Sequence, residues 1–382
     1  MLPQLSAQQA AHSDVVAAAV RSAVAADGGW LSFEDYLRLV LYAPGLGYYS
    51  AGSVKFGAAG DFITAPELSP LFAHCVATQC AQVLGTDGEV LELGAGTGSL
   101  AAGVLARLAV LGQLPRRYLI LEVSAELRAR QRQALSVLAP AVAARVEWLD
   151  ALPAAPIAGV VLANEVADAL PFRRFVIDGD AAYERGVGVA ADGTLIDADR
   201  PASPELLAEL ARLAPDGWPP RYESELCPML GPWIAALAPV LARGALLLID
   251  YGLPRHEYYH WQRDRGTLRC HFRHRAHDDP LLSPGVQDVT AWVDFTRVAE
   301  AACDAGLDVT GFCTQAAFLL ASGIEAEVAA AEDAVARARL AGQARQLLLP
   351  GEMGERFKVM ALTRGFNAPL RGFALQDLRR SL

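Results

Sequence analysis

The sequence is short of the features that would place a protein quickly. Lysine occurs only at Lys55 and Lys358, and the formal net charge is −10. A non-specific grip on nucleic acid needs a basic surface to displace counterions, so that class of partner is excluded; a basic peptide or protein would suit the charge better. No uninterrupted apolar run reaches the roughly 18 residues of a membrane span. The stretch 235–249 comes closest, and Arg243 and Gly244 break it. The first 25 residues lack both the charged start of a signal peptide and the arginine density of a transit peptide, so a cytoplasmic protein is expected. The six cysteines are scattered and form no CxxC pair, which predicts buried free thiols in a reducing compartment rather than a disulfide framework. Gly-x-Ser-x-Gly and a P-loop lysine are both absent, removing the commonest hydrolase and nucleotide-triphosphatase readings.

What is present is a core. The 382 residues are 53% hydrophobic and 20% charged, enough for one large folded domain or two ordinary ones. Residues 5–25 and 33–42 read as helices, and 42–64 as a loop rich in glycine and aromatics. Pro66 suits the first turn of a helix running to Leu84. Short apolar strands at 90–93, 118–121, 146–148, 160–163 and 245–249 then alternate with helices over 99–111, 125–138 and 229–241. Ser124 is the expected cap of the second of these helices. This alternation predicts a doubly wound, mostly parallel α/β sheet. A last strand over 357–363 is placed antiparallel to its neighbour. Between the fourth and fifth strands the rhythm breaks: 172–177 and 182–189 read as a strand pair followed by a helix after Ser203-Pro204. Segment 325–347 reads as helix.

The most informative stretch is Val90-Leu91-Glu92-Leu93-Gly94-Ala95-Gly96-Thr97-Gly98-Ser99. A buried strand runs into three glycines at alternate positions and then into a helix, so a ligand can approach main-chain N–H groups. A dinucleotide fingerprint spaces its glycines G-x-G-x-x-G; here the third comes one residue early, at Gly98. Glu92 would repel a pyrophosphate and favour the ammonium and sulfonium of S-adenosylmethionine. The loop therefore predicts a methyl-donor site, with an NAD-dependent oxidoreductase as the rival reading. Glu122, ending the second strand, can accept both ribose hydroxyls. Asp150, after the third, is either an adenine contact or an exposed turn residue. Asn164, Glu165 and Asp168 follow the fourth strand, where ligands of open α/β sheets sit. Asn164 is expected on the cofactor, and Glu165 and Asp168 are expected to orient a cationic acceptor or to cap a following helix. Asp288 and Asp294 are weaker candidates for the same work.

With these residues in hand the chain resembles the MidA-type class I methyltransferases, a family that includes a mitochondrial complex I assembly-factor arginine methyltransferase. The resemblance runs over about 30–320 and rests on YLRLVLYAPGLGYY (36–49), GDFITAPELS (60–69), the glycine loop and Glu122-Val123-Ser124. It continues through NEVADALP (164–171), Asp250-Tyr251-Gly252, Thr267-Leu268-Arg269 and PGVQDVTAWVDF (284–295). It implies a seven-stranded methyltransferase sheet with an insertion between strands 4 and 5 and an added N-terminal helical segment. Residues 1–65 form that segment with its Gly-rich loop. Residues 66–382 form the methyltransferase domain, in which 171–225 is a substrate-binding insertion. It also implies cofactor contacts from Asp61 and Thr64, an arginine of a protein as acceptor, and Glu225 as a residue helping to hold it. A non-catalytic assembly factor on the same fold is the alternative.

Cys270, His271, His274 and His277, with His256 and His260 upstream, contain the donor types of a zinc site. Arg273 and Arg275 are interleaved and would repel a cation, so a solvated or partner-facing basic loop is expected instead, and no metal.

Overall fold

The segment Glu89–Leu93 is buried at every position, its two glutamates included, as expected of a central strand covered on both faces. In the computed structural model, which describes residues 3–50, 64–214 and 216–382, it becomes β1 of a mainly parallel sheet. The strands are β1 (Glu89–Leu93), β2 (Tyr118–Leu121), β3 (Val146–Leu149), β4 (Ile157–Asn164), β5 (Leu241–Leu253), β6 (Asp308–Thr314) and β7 (Phe357–Arg364). Their order is β6-β7-β5-β4-β1-β2-β3, with the two-residue strand Val293–Asp294 added beside β5. β1 to β5 run parallel, whereas β7 is antiparallel to both β5 and β6. This is the expected α/β architecture. β6 is the strand that periodicity had not resolved.

The chain divides into two discontinuous units. One holds 63–167, 231–253 and 293–382, and the other 1–62, 168–230 and 254–292. The first contains the main sheet. Its core joins Leu71, Phe72, Val76 and Cys80 of helix Pro70–Leu84 to Val90, Val160 and Leu247 of the strands and Val104 and Leu108 of helix Ser99–Val110. The helix expected to run on from Pro66 is interrupted: Ala65–Leu68 ends at Ser69, whose extended backbone caps a fresh start at Pro70. Proline lacks the N–H a continuing helix would need.

The second unit contains a four-stranded antiparallel sheet in the order Leu195–Pro201, Ala181–Val189, Arg173–Asp178, Arg221–Leu226. Ser203 caps helix Pro204–Leu213, whose Leu206, Leu210 and Leu213 pack on Phe175, Ile177 and Tyr222. The insertion between β4 and β5 is thus a folded layer of its own. It shares its unit with helix Ala7–Ala26 and with 254–292, a segment for which the sequence suggested no separate place. None of the six cysteines is in a disulfide; Cys75, Cys80, Cys270 and Cys313 are buried, and Cys303 is exposed.

Candidate active site

Strand order reverses at β1, which pairs with β2 on one side and β4 on the other. Ligands of open α/β sheets bind outside the carboxyl ends of the strands at such a point. The glycine loop leaves β1 there. Gly94, Gly96 and Gly98 have φ of 61°, 52° and 86°, values that L side chains adopt only at a cost. A Cβ on Gly98 would lie 2.9 Å from Gln131 Cα, whereas one on Gly96 would meet nothing within 4 Å. No side chain caps helix Ser99–Val110, which Gly98 precedes, so its leading N–H groups are left for a ligand or water.

Gln131 ties this loop to the second strand. It is fully buried, and its Nε2 donates to Gly96 O at 3.0 Å and to Glu122 Oε2 at 3.1 Å, while its Oε1 accepts the Trp148 indole N–H at 2.8 Å. Glu122 also accepts the Ser124 N–H at 2.9 Å, and burial raises its carboxyl above the usual range. A carboxylate has about four lone-pair sites, which leaves acceptor capacity for hydroxyls. Sequence reasoning missed Gln131, a glutamine on an ordinary helical stretch. Asp150 is exposed and paired to Arg128 at 2.6 Å. The Thr64 N–H and hydroxyl both go to Glu67 Oε2, at 3.2 and 3.3 Å, at the start of helix Ala65–Leu68. Asp61 lies outside the described residues.

Glu92 is buried and accepts the Tyr118 hydroxyl at 2.7 Å; burial pushes its carboxyl up to about 7. Near neutrality it is therefore only partly charged, which tempers the electrostatic choice read from the sequence.

At the end of β4 the backbone departs from ordinary geometry. Glu165 has φ 53°, unusual for a residue other than glycine, asparagine or aspartate. Its N–H still donates to Ile249 O at 2.9 Å, and its Oε1 accepts the Asn164 Nδ2 hydrogen at 3.1 Å. Asn164 Oδ1 is buried with no partner, an acceptor that a donor from a bound ligand would satisfy. Asp250 of β5, fully buried, accepts the N–H groups of Val166 and Ala167. The sequence showed Asp250 only as part of a recurring Asp-Tyr-Gly.

No helix follows β4: residues 165–172 are an irregular loop with bends and one turn, so the expected capping role for Glu165 and Asp168 is replaced by a tied loop. Asp168 falls in the second unit, is largely buried, and accepts the Ala291 N–H on its carbonyl at 3.3 Å. In the same unit Asp288 accepts the Tyr49 hydroxyl at 2.7 Å. Asp294 caps helix Phe295–Asp304 through the Arg297 N–H at 3.1 Å. Glu225 lies in the second unit too. It is buried, its Oε1 accepts the Thr267 N–H at 2.6 Å and the Leu268 N–H, and its Oε2 takes the Ser224 hydroxyl at 3.1 Å. Its carboxylate is committed to the backbone of its own unit.

Cys270, His271 and His277 lie on a β-hairpin, Arg269–Phe272 with Arg275–His277, with His274 in the turn. Among the described residues no group of His, Cys, Asp and Glu could hold a metal ion.

A sequence-family model described as "putative S-adenosyl-L-methionine-dependent methyltransferase" matches residues 71–313, from helix Pro70–Leu84 to the end of β6. The chain belongs to this family. A homologue from Burkholderia thailandensis, crystallised bound to S-adenosyl-homocysteine, is 47% identical; the two chains cover each other completely, with a TM-score of 0.95. The mitochondrial protein arginine methyltransferase NDUFAF7 of Danio rerio is 28% identical over 87% of this chain and 83% of its own, and that of Mus musculus 29% over 87% and 81%. A methyltransferase fold with a glycine turn, an uncapped helix start and a buried unpaired Asn164 Oδ1 fits the methyl donor, and the dinucleotide reading is set aside.

Proposed function

We propose that the chain methylates a side-chain nitrogen of a protein, the guanidinium of an arginine. Glu165 carries this reading. A left-handed glutamate persists only where its surroundings over-determine it, and such strain gathers at functional sites. Here it fixes a carboxylate at the carboxyl end of β4, able to grip a guanidinium through charge-assisted, bidentate hydrogen bonds. Asp168, three residues on in the chain, is a further candidate.

S-adenosylmethionine, when bound, supplies an electrophilic methyl group on a positively charged sulfur. Glu122 would accept the ribose hydroxyls, the N–H groups after Gly94 and the Asn164 Oδ1 would meet the amino-acid end, and Thr64 and Asp61 are further candidates. The work left to the chain is to align the acceptor nitrogen, balance its charge and keep the reacting atoms dry. Nothing in this scheme asks for a covalent enzyme intermediate. A shared fold does not fix a substrate; the choice of arginine draws on the names of the mitochondrial relatives and on a net charge of −10 suited to a basic segment.

The test is transfer of labelled methyl groups from S-adenosylmethionine into an extract of cells lacking this protein, followed by mass spectrometry of the labelled peptides. Methylarginine in a discrete protein is expected. Label on another residue would overturn the arginine assignment. Binding of S-adenosyl-homocysteine with no label anywhere would mark a non-catalytic binding protein.

A further inference from the structure

We infer that Asp250 is a positioning residue for Glu165, acting through the backbone of the turn after β4; this rests on the role given to Glu165 above. The ladder between β4 and β5 ends at the pair Asn164 and Ile249. Beyond it the Glu165 N–H still reaches Ile249 O, but the chain then leaves the sheet, and Val166 and Ala167 have no strand to receive their N–H groups. Asp250, the next residue on β5, supplies the missing acceptor. Its Oδ2 takes the Val166 N–H at 3.2 Å and the Ala167 N–H at 2.9 Å, and its Oδ1 takes the Tyr251 N–H at 2.9 Å. Lys358, directly opposite on β7, places a cation on the neighbouring strand.

Burying a carboxylate is costly unless donors surround it, so a side chain that is fully buried in this way has a task that an apolar residue could not do. That task is specific. The two N–H groups on Oδ2 belong to the residues immediately after Glu165. Holding them fixes the exit of the chain, and with it the positive φ that aims the Glu165 side chain. Asparagine cannot substitute, although it has the same shape. If its oxygen faces Val166 and Ala167, its NH₂ faces the Tyr251 N–H, donor against donor; reversed, the turn loses both bonds.

The test follows the initial rate of label transfer from S-adenosylmethionine to extract proteins in four forms: wild type, Asp250→Asn, Glu165→Gln and the double variant. Asp250→Asn is expected to lower the rate on the order of 100-fold, the cost of displacing an aligning group by about 1 Å. Its affinity for S-adenosyl-homocysteine, by calorimetry, stays within about 3-fold, since the glycine loop is untouched. Added to Glu165→Gln, it costs little more, because both changes disable one unit. An unchanged rate in Asp250→Asn, or a loss that adds in full to that of Glu165→Gln, would overturn the inference. A wild type that labels nothing would instead sink the methyltransferase assignment of this chain. Should Asp250→Asn fail to fold, an amide-to-ester exchange at Ala167 deletes one donor while keeping the carboxylate, and the same pattern is expected.

Discussion

Tyr118 donates its hydroxyl hydrogen to Glu92 at 2.7 Å, with both side chains buried beside the strand that feeds the glycine loop. Burial raises the Glu92 carboxyl from 4.5 to about 7. A cationic ligand nearby favours the charged form and lowers that value again. Binding of S-adenosylmethionine should therefore expel a proton from Glu92 near neutral pH, and affinity should climb as pH rises towards about 7 and level off above it. Calorimetry in buffers of different ionisation enthalpy reads the proton directly. Equal heats in all buffers at pH 7 would remove Glu92 from the cofactor's surroundings.

The same shift makes a stability prediction. With its folded value above the unfolded one, Glu92 holds its proton more tightly in the native state, so its contribution falls as pH rises from 4.5 to about 7 and is level beyond. The loss amounts to about 3 kcal/mol. Glu92→Gln keeps an acceptor for Tyr118 and never charges. In urea titrations the variant should match wild type near pH 4.5 and gain steadily up to pH 7. A difference independent of pH would contradict this.

Glu165 offers a test of backbone strain that needs no substrate. Its φ of 53° costs an L-residue roughly 1–2 kcal/mol and glycine almost nothing. Glu165→Gly should therefore be more stable than Glu165→Ala by about 1 kcal/mol, reversing the usual order of the two. Both should retain S-adenosyl-homocysteine binding and transfer methyl groups at about 1% of the wild-type rate or less. If alanine is the more stable replacement, the turn is not held as described.

Much of this was legible from residue order alone. Strands whose faces are both covered announce themselves as apolar runs, and β1, β2, β4 and β5 were read that way; β3, where Glu147 is exposed, was read from its place in the strand–helix alternation. β6 was not, because Asp-Val-Thr-Gly-Phe-Cys-Thr has only its last part buried and a bulge between Val309 and Gly311. The glycine loop was readable because glycine at three alternate positions has few other uses. Gln131 and Asp250 were not, since each acts through hydrogen bonds to main chain distant in sequence, and a buried glutamine or aspartate looks the same in a sequence as a surface one. Asp294 and Glu225 show the converse: acidic residues in a promising stretch, occupied with holding backbone.

Gln131 joins three segments with one amide, so its removal should be felt in both stability and affinity. Gln131→Ala strands the Trp148 N–H, one oxygen of Glu122 and the Gly96 carbonyl. Each buried group left unpaired costs about 1–3 kcal/mol. A loss on the order of 3 kcal/mol in chemical denaturation is expected, together with weakening of S-adenosyl-homocysteine binding by about 10-fold or more, because the loop that carries Gly96 is no longer tethered. Weakened binding without destabilisation would point to direct ligand contact by Gln131 instead.

Glu225 separates a loop-holding role from an acceptor-binding one. Its Oε1 alone receives the Thr267 and Leu268 N–H groups, and Oε2 receives a hydroxyl that can rotate to accept instead. Gly266 lies so close that a Cβ there would fall 2.4 Å from the carboxylate, leaving no space for a guanidinium between them. Glu225→Gln can keep its oxygen on both N–H groups and turn its NH₂ to Ser224, so stability and methyl transfer should change little. Glu225→Ala leaves two buried N–H groups unpaired and should cost about 3 kcal/mol, with cofactor affinity unchanged. Were Glu225→Gln to keep its melting temperature and lose methyl transfer, the charge itself would be needed, and the residue would return to the acceptor site.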